Sequence, residues 1–202
     1  MWGDVYLLIA AVFSLTIISK KYPGGVKDIK ITSIFALIVY ILSEMIVLID
    51  LEIVAIISSI LLITALSLVF VILLMLIRNL KPIVFQYPYP VVFLPLLLPV
   101  SFLFVMDTII VEQIILASIQ AVVIVVLFLL TSGYIHYLEK KAGMYSGLLL
   151  LIASFVLYWM VKEIINVPTY LWKLFLSIGM VLIIYSLSGL INNKINNDKV
   201  TE

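Results

Sequence analysis

Seven long apolar stretches fill nearly all of the 202 residues, with the charges gathered between them. Few folds are open to such a chain. A helix that crosses a bilayer needs roughly 20 mainly apolar residues, so seven of them take up about 140 to 150 residues and leave only short loops. Hydrophobic residues make up 65% of the sequence and charged residues 11%, with a mean hydropathy of +1.34. A water-soluble domain is about half apolar and about a quarter charged. Transmembrane barrels are built from short alternating segments, whereas runs such as Ile53–Ile77 are continuous. The expected fold class is all-α, a polytopic membrane helical bundle of about seven transmembrane helices.

The runs place the spans at Val5–Ser19, Ile31–Ile49, Ile53–Ile77, Val91–Met106, Ile114–Thr131, Tyr145–Val161 and Tyr170–Ile191. In the first span Lys20 and Lys21 follow the apolar run instead of preceding it. That is the reverse of a secretory signal peptide, and it sends the N-terminus outward. Cytoplasmic segments carry the Lys and Arg excess. With the N-terminus outside and the C-terminus cytoplasmic, all of the 12 basic residues except Lys162 and Lys173 fall on the inner side. Acids lean outward: Asp4, Asp50, Glu52, Asp107, Glu112 and Glu163 lie at the outer rim. Residues 1–191 are expected to form a single seven-helix transmembrane domain. The polar, Asn-rich segment 192–202 is expected to be a disordered cytoplasmic tail.

The turn Asp50–Glu52 is so short that spans two and three must form a tight antiparallel hairpin. Spans one to three and five to seven run in the same directions, and spans one and five are each followed by a Lys pair (Lys20–Lys21 and Lys140–Lys141). A three-plus-one-plus-three repeat of the kind found in some small transporters has this form, but any seven-span chain of this orientation shares the directions.

Several chemistries are excluded or disfavoured. The chain has no cysteine, which rules out disulfides and thiolate sites. Its net charge of +1 points to no nucleic-acid partner. The lone His136 has no second His or Cys for a metal site, and no nucleophile–base motif or phosphate-binding loop is present. We expect no enzymatic activity, no cofactor and no metal. Arg78 is the single arginine and Ile and Asn are frequent. That is the codon bias of an AT-rich genome, and it points to a bacterial plasma (inner) membrane.

The polar groups inside the spans are few. Glu44 is a carboxylate about 9 Å below the outer end of the second span at 1.5 Å per residue, and Ser33, Tyr40 and Ser43 share its helix face. Intramembrane carboxylates face protein or water and are candidates for function; the plainer reading is a side chain reaching the headgroups or bonded to a neighbour. Gln120 in the fifth span lies on a face with Gln113, Ala117 and Ala121, and buried amides commonly tie helices together. Asp50, Glu52, Asp107 and Glu112 form a candidate outer acidic rim able to concentrate cations, or are simply solvated loop charges. Pro95 and Pro99 in the fourth span form a candidate hinge or a fixed kink, with Tyr87 and Tyr89 anchoring the lead-in. Trp2, Tyr158, Trp159, Tyr170 and Trp172 fit an outer aromatic belt.

Seven helices with an outer N-terminus also describe the retinal proteins. A retinal protein needs a Lys in the middle of its last helix, where this chain has Met180–Val181–Leu182–Ile183. Sugar transporters of the three-plus-one-plus-three type carry Pro–Gln hinges in both repeats, and here the intramembrane prolines are confined to the fourth span. The residues therefore point to a sensory or accessory membrane module that acts through helix packing and contacts with a membrane or cytoplasmic protein partner. The alternative is a small transporter or channel for a cation or neutral solute built on Glu44, Gln120 and the fourth span.

Overall fold

The computed structural model describes residues 2–22, 27–47, 52–80, 87–104, 109–133, 141–161 and 168–200, with the side chains at 2, 52–55, 109, 110, 112, 169 and 192–200 left out of the description. These residues are helical almost throughout, without strands. The α-helices are α1 (Trp2–Lys21), α2 (Lys27–Val47), α3 (Glu52–Leu80), α4 (Leu97–Leu103), α5 (Ile109–Gly133), α6 (Lys141–Val156) and α7 (Thr169–Val200). A 3-10 helix, Tyr89–Leu96, leads into α4, and a π turn, Leu157–Val161, extends α6. Six of the helices are long and apolar enough to cross a membrane.

Both faces of these helices are apolar, which is the pattern of helices solvated by lipid. On α1, Leu7, Ala10, Ala11, Ile17 and Ile18 are buried, while Ile9, Val12 and Phe13 on the opposite side are exposed. In water such a face would drive aggregation; in a bilayer it is the ordinary outer surface.

The fourth span, expected to be hinged or kinked at its prolines, is not one continuous α-helix. Its first half is wound as 3-10 and its second half is the short α4. The prolines explain the winding. Pro90 lies in the first turn of the 3-10 helix, where backbone N–H groups have no intrahelical acceptor anyway, and Pro99 removes a donor just past the junction with α4. Pro95 lies inside the 3-10 helix, disfavours α geometry in the residue before it, and the 3-10-to-α junction follows at Leu96–Leu97. The prolines thus flank a change of winding.

The lead-in to this segment is held by α3. Pro88 is extended, with φ −54° and ψ 139°. Arg78 Nε donates to the Tyr87 carbonyl at 3.1 Å, and its guanidinium lies 5.2 Å from the centre of the Tyr89 ring. The Tyr87 hydroxyl donates to the Leu74 carbonyl. The single arginine therefore serves as a clamp on the returning chain.

Helix α7 is described as backbone through residue 200.

The described helices form two compact units, residues 1–30 with 124–202, and residues 31–123. These units do not follow a division into spans one to three and five to seven. In the first unit α7 is the axis. Helix α1 runs parallel to it, because Asp4 meets Lys173 near the start of both and Lys21 lies over Tyr185 toward the end of both. Helix α6 runs antiparallel, since Gly143 faces Ser186 while Ser154 donates to the Trp172 carbonyl at 2.9 Å. In the second unit α3 is central. Ala65 and Leu68 pack against Ala36 and Val39 of α2, with Leu96 alongside. Ile63 packs with Phe102 of α4 and Ile119 of α5.

Candidate functional site

The expected intramembrane group lies on α2. Apolar residues on the inner face of this helix, Ala36, Val39 and, half-buried, Tyr40, seat it against α3. One turn further on, Ser43 is buried, and its hydroxyl donates to the Ser58 carbonyl of α3 at 2.9 Å. The two hydroxyls are 3.4 Å apart, and Ser58 Oγ lies 3.4 Å from the Ser43 carbonyl. This clasp joins the two helices near their connecting turn. Glu44, the next residue, is only 9% exposed. Its carboxylate is thus turned into protein and does not lie open at the helix surface. Ser33 on the same helix is buried too.

Gln120 is half-buried on α5, beside Ile119 in the cluster with Ile63 and Phe102. Tyr40, Glu44 and Gln120 all have interaction partners within the fold. The α2 and α5 groups reach α3 through separate clusters, one around Ala65 and Leu68 and one around Ile63. Pro95 is buried and Pro99 half-buried, one on each side of the 3-10-to-α junction. Of the acidic rim, Asp50 and Asp107 lie outside the described residues, and Glu52 and Glu112 lie on α3 and α5 at positions whose side chains are outside the description. Among the described residues no group of three or more His, Cys, Asp or Glu is placed to hold a metal ion.

The first unit carries polar chemistry that spacing along the chain does not disclose. Asp4 of α1 forms an ion pair with Lys173 of α7, their side chains 9% and 18% exposed. Gly3 makes this possible: a Cβ there would lie 2.7 Å from Lys173 Cδ, so the missing side chain leaves room for the lysine stem. The Lys173 ammonium is also 5.2 Å from the centre of the Trp172 ring. Tyr158 in the π turn packs on Trp172 at 4.5 Å and edge-on against Trp159 at 4.7 Å. Adjacent side chains on an α-helix do not face each other, and the wider π turn brings this pair together. The belt residues Tyr158, Trp159 and Trp172 thus form one packed aromatic group next to the ion pair.

Helices α6 and α7 meet backbone to backbone. A Cβ on Gly147 would lie 3.1 Å from the Gly179 carbonyl oxygen, and one on Gly179 would lie 3.0 Å from that of Gly147. A Cβ on Gly143 would lie 2.8 Å from Ser186 Oγ. The signal was in the sequence as Gly143–Met144–Tyr145–Ser146–Gly147, the small-xxx-small pattern that lets membrane helices approach closely. Three buried polar atoms lack a partner among the described residues: Ser14 Oγ, Ser186 Oγ and Trp172 Nε1. All three lie on α1 and α7.

The ends of the first unit differ in charge. One end holds the Asp4–Lys173 pair and the aromatic group. The other gathers Lys20 and Lys21 at the end of α1, Lys27 and Lys30 at the start of α2, and Lys141 at the start of α6. These are the two sets that the charge rule assigns to opposite sides. No family model, curated protein or solved structure matches this chain.

Proposed function

We propose that the chain is a sensory or accessory module of a bacterial plasma (inner) membrane, with its N-terminus outside and its C-terminus cytoplasmic. The observation that carries this reading is where the polar groups point: Ser43 to Ser58, Ser154 to Trp172, and Asp4 to Lys173 all tie one helix to another. A bundle whose polar contacts serve its own packing is suited to holding a shape that a partner recognises. Seven crossings are supported by the winding of the fourth segment. At about 2.0 Å per residue in the 3-10 part and 1.5 Å in α4, Tyr89–Leu103 extends about 26 Å, close to the roughly 30 Å of a hydrocarbon core.

The test begins with topology. The chain has no cysteine, so single cysteines report side without background. Asn166→Cys is expected to react with an impermeant maleimide in intact cells, and Asn193→Cys only after permeabilisation; the reverse pattern overturns the orientation. Purification in mild detergent then recovers a stoichiometric protein partner, with recovery lowered when Lys140 and Lys141 are both changed to Gln in a chain of verified topology. A chain that purifies alone, with full activity in vesicles, sinks the accessory reading.

The burial of Glu44 beside the Ser43–Ser58 clasp favours a second reading, a small cation or solute transporter with Tyr40, Ser43 and Gln120 lining the path, the acidic rim feeding it and Pro95 and Pro99 as its hinge. In that case Glu44→Gln abolishes ion-dependent uptake by a folded protein. Unchanged uptake removes Glu44 from the mechanism.

A further inference from the structure

The lysine-bearing end of the first unit is assembled from three parts of the chain. The ammonium of Lys21 lies 3.9 Å from the centre of the Tyr185 ring, which fixes the end of α1 to α7. The ammonium of Lys30 donates to the Ser19 carbonyl at 2.7 Å and reaches that of Tyr22 at 3.4 Å, which caps the end of α1 with the start of α2. Gly143 packs against Ser186, next to Tyr185, and so brings the start of α6 to the same level. Two lysines are thus used to hold the architecture. Three others, Lys20, Lys27 and Lys141, are exposed around it.

Five ammonium groups on one end of one compact unit are a strong positive field. Asp28 is the one acid at this end whose side chain is described, and it is exposed. The lysines flank apolar helices, so their depth is that of lipid headgroups, where Lys stems run along the apolar surface and the charge sits at the interface. Tyr22 is buried at the same end and Tyr185 lies half-buried under Lys21. Basic clusters between membrane helices are the setting in which lipid phosphates are held. We infer that the Lys20–Lys27–Lys141 end of the first unit binds the phosphodiester headgroup of an anionic phospholipid, with Lys21 and Lys30 holding the site in shape. The site is independent of whether the chain is an accessory module or a transporter.

The experiment is native mass spectrometry of the purified full chain given phosphatidylglycerol or phosphatidylcholine in equal amounts. Wild type is expected to retain phosphatidylglycerol preferentially. A lysine near a membrane surface contributes about five-fold in affinity, so the Lys20→Gln, Lys27→Gln, Lys141→Gln triple variant is expected to lose about a hundred-fold of that preference. Changing the same three residues to Arg keeps it. If the triple Gln variant does not fold, Lys141→Gln alone is expected to lower retention about five-fold. Equal retention of the two lipids by wild type overturns the proposal, as does an undiminished preference in the Gln variants. Competition by inorganic phosphate that matches the lipid would assign the site to a soluble anion and overturn it as well.

Discussion

The two units bring their helices together by opposite means. In the first, side chains are removed: Gly147 and Gly179 put the backbones of α6 and α7 in contact, and Gly3 clears the path of Lys173. In the second, side chains fill the space: Phe102 and Ile119 close on Ile63, and the serine clasp adds a polar tie. Lipid tails are as apolar as leucine, so neither unit gains much from burying methyl groups alone. What remains is close contact, reached either by approach of the backbones or by a fitted side chain. The first solution is intolerant of any added atom, and the second of any removed one.

The largest expected effect breaks the filled contact. Phe102 is fully buried among residues of α3 and α5, and Phe102→Ala leaves a cavity that the proline-bound segment cannot close. A loss of about 3 kcal/mol is expected, read as a lowered unfolding midpoint in detergent. A variant as stable as wild type would mean that the fourth segment is not anchored through this ring.

The complementary change adds an atom to the first unit. Gly147→Ala and Gly179→Ala each push a methyl group against a carbonyl oxygen that cannot move without its helix, at a cost of about 1–3 kcal/mol. Gly133→Ala is the internal control, since among the described residues nothing lies within 4 Å of its added carbon; it is expected to stay within about 0.5 kcal/mol of wild type. Equal behaviour of the three alanines would dismiss the backbone contact.

These contrasts mark what the sequence disclosed. Six of the seven runs were legible as helices long enough to span, because the length of an apolar run is a direct consequence of bilayer thickness; the last of the six, Tyr170–Ile191, coincides with the span in α7. The fourth was legible as apolar but not in its winding, since the prolines that forbid a regular helix do not say which alternative replaces it. The burial of Glu44 was partly legible from the face it shares with Tyr40, one turn earlier. The Asp4–Lys173 pair, 169 residues apart, was not legible. Both residues carried the same sidedness, but only the parallel packing of α1 on α7 makes them neighbours. The Gly143–Gly147 spacing was visible and its meaning depended on a partner, Gly179, on another helix.

A smaller effect concerns the clamp on the second unit's returning chain. Burial raises the Tyr87 phenol above its ordinary value of 10.0, with Arg78 pulling the other way. Burial raises the Tyr22 phenol of the first unit as well. A native phenol that holds its proton more tightly than the unfolded one contributes stability that is full below pH 10 and is lost as the pH rises above it. Melting temperature is therefore expected to fall above pH 10. Tyr87→Phe should cost about 1 kcal/mol at neutral pH through the lost bond to Leu74, and should shallow the alkaline fall without removing it, because Tyr22 remains. An unchanged alkaline profile would show that Tyr87 is not held as described.

The smallest effect tests the serine clasp, and it does so through an asymmetry. The short bond runs from the Ser43 hydroxyl to a backbone carbonyl, at 2.9 Å, while both contacts made by the Ser58 hydroxyl are 3.4 Å. Ser43→Ala removes the short bond. Ser58→Ala leaves it in place, because its acceptor is main chain. Hydrogen bonds between membrane helices are worth about 0.6 kcal/mol on average, so Ser43→Ala is expected to cost about that and Ser58→Ala distinctly less. In the first unit Ser154 makes the same kind of bond, to the Trp172 carbonyl, yet there the glycine contact already fixes the helix pair. Ser154→Ala should therefore matter less than Ser43→Ala. A larger loss at Ser154 would mean that the close backbone approach depends on the hydroxyl and not the reverse, and the division between an emptied unit and a filled one would have to be redrawn.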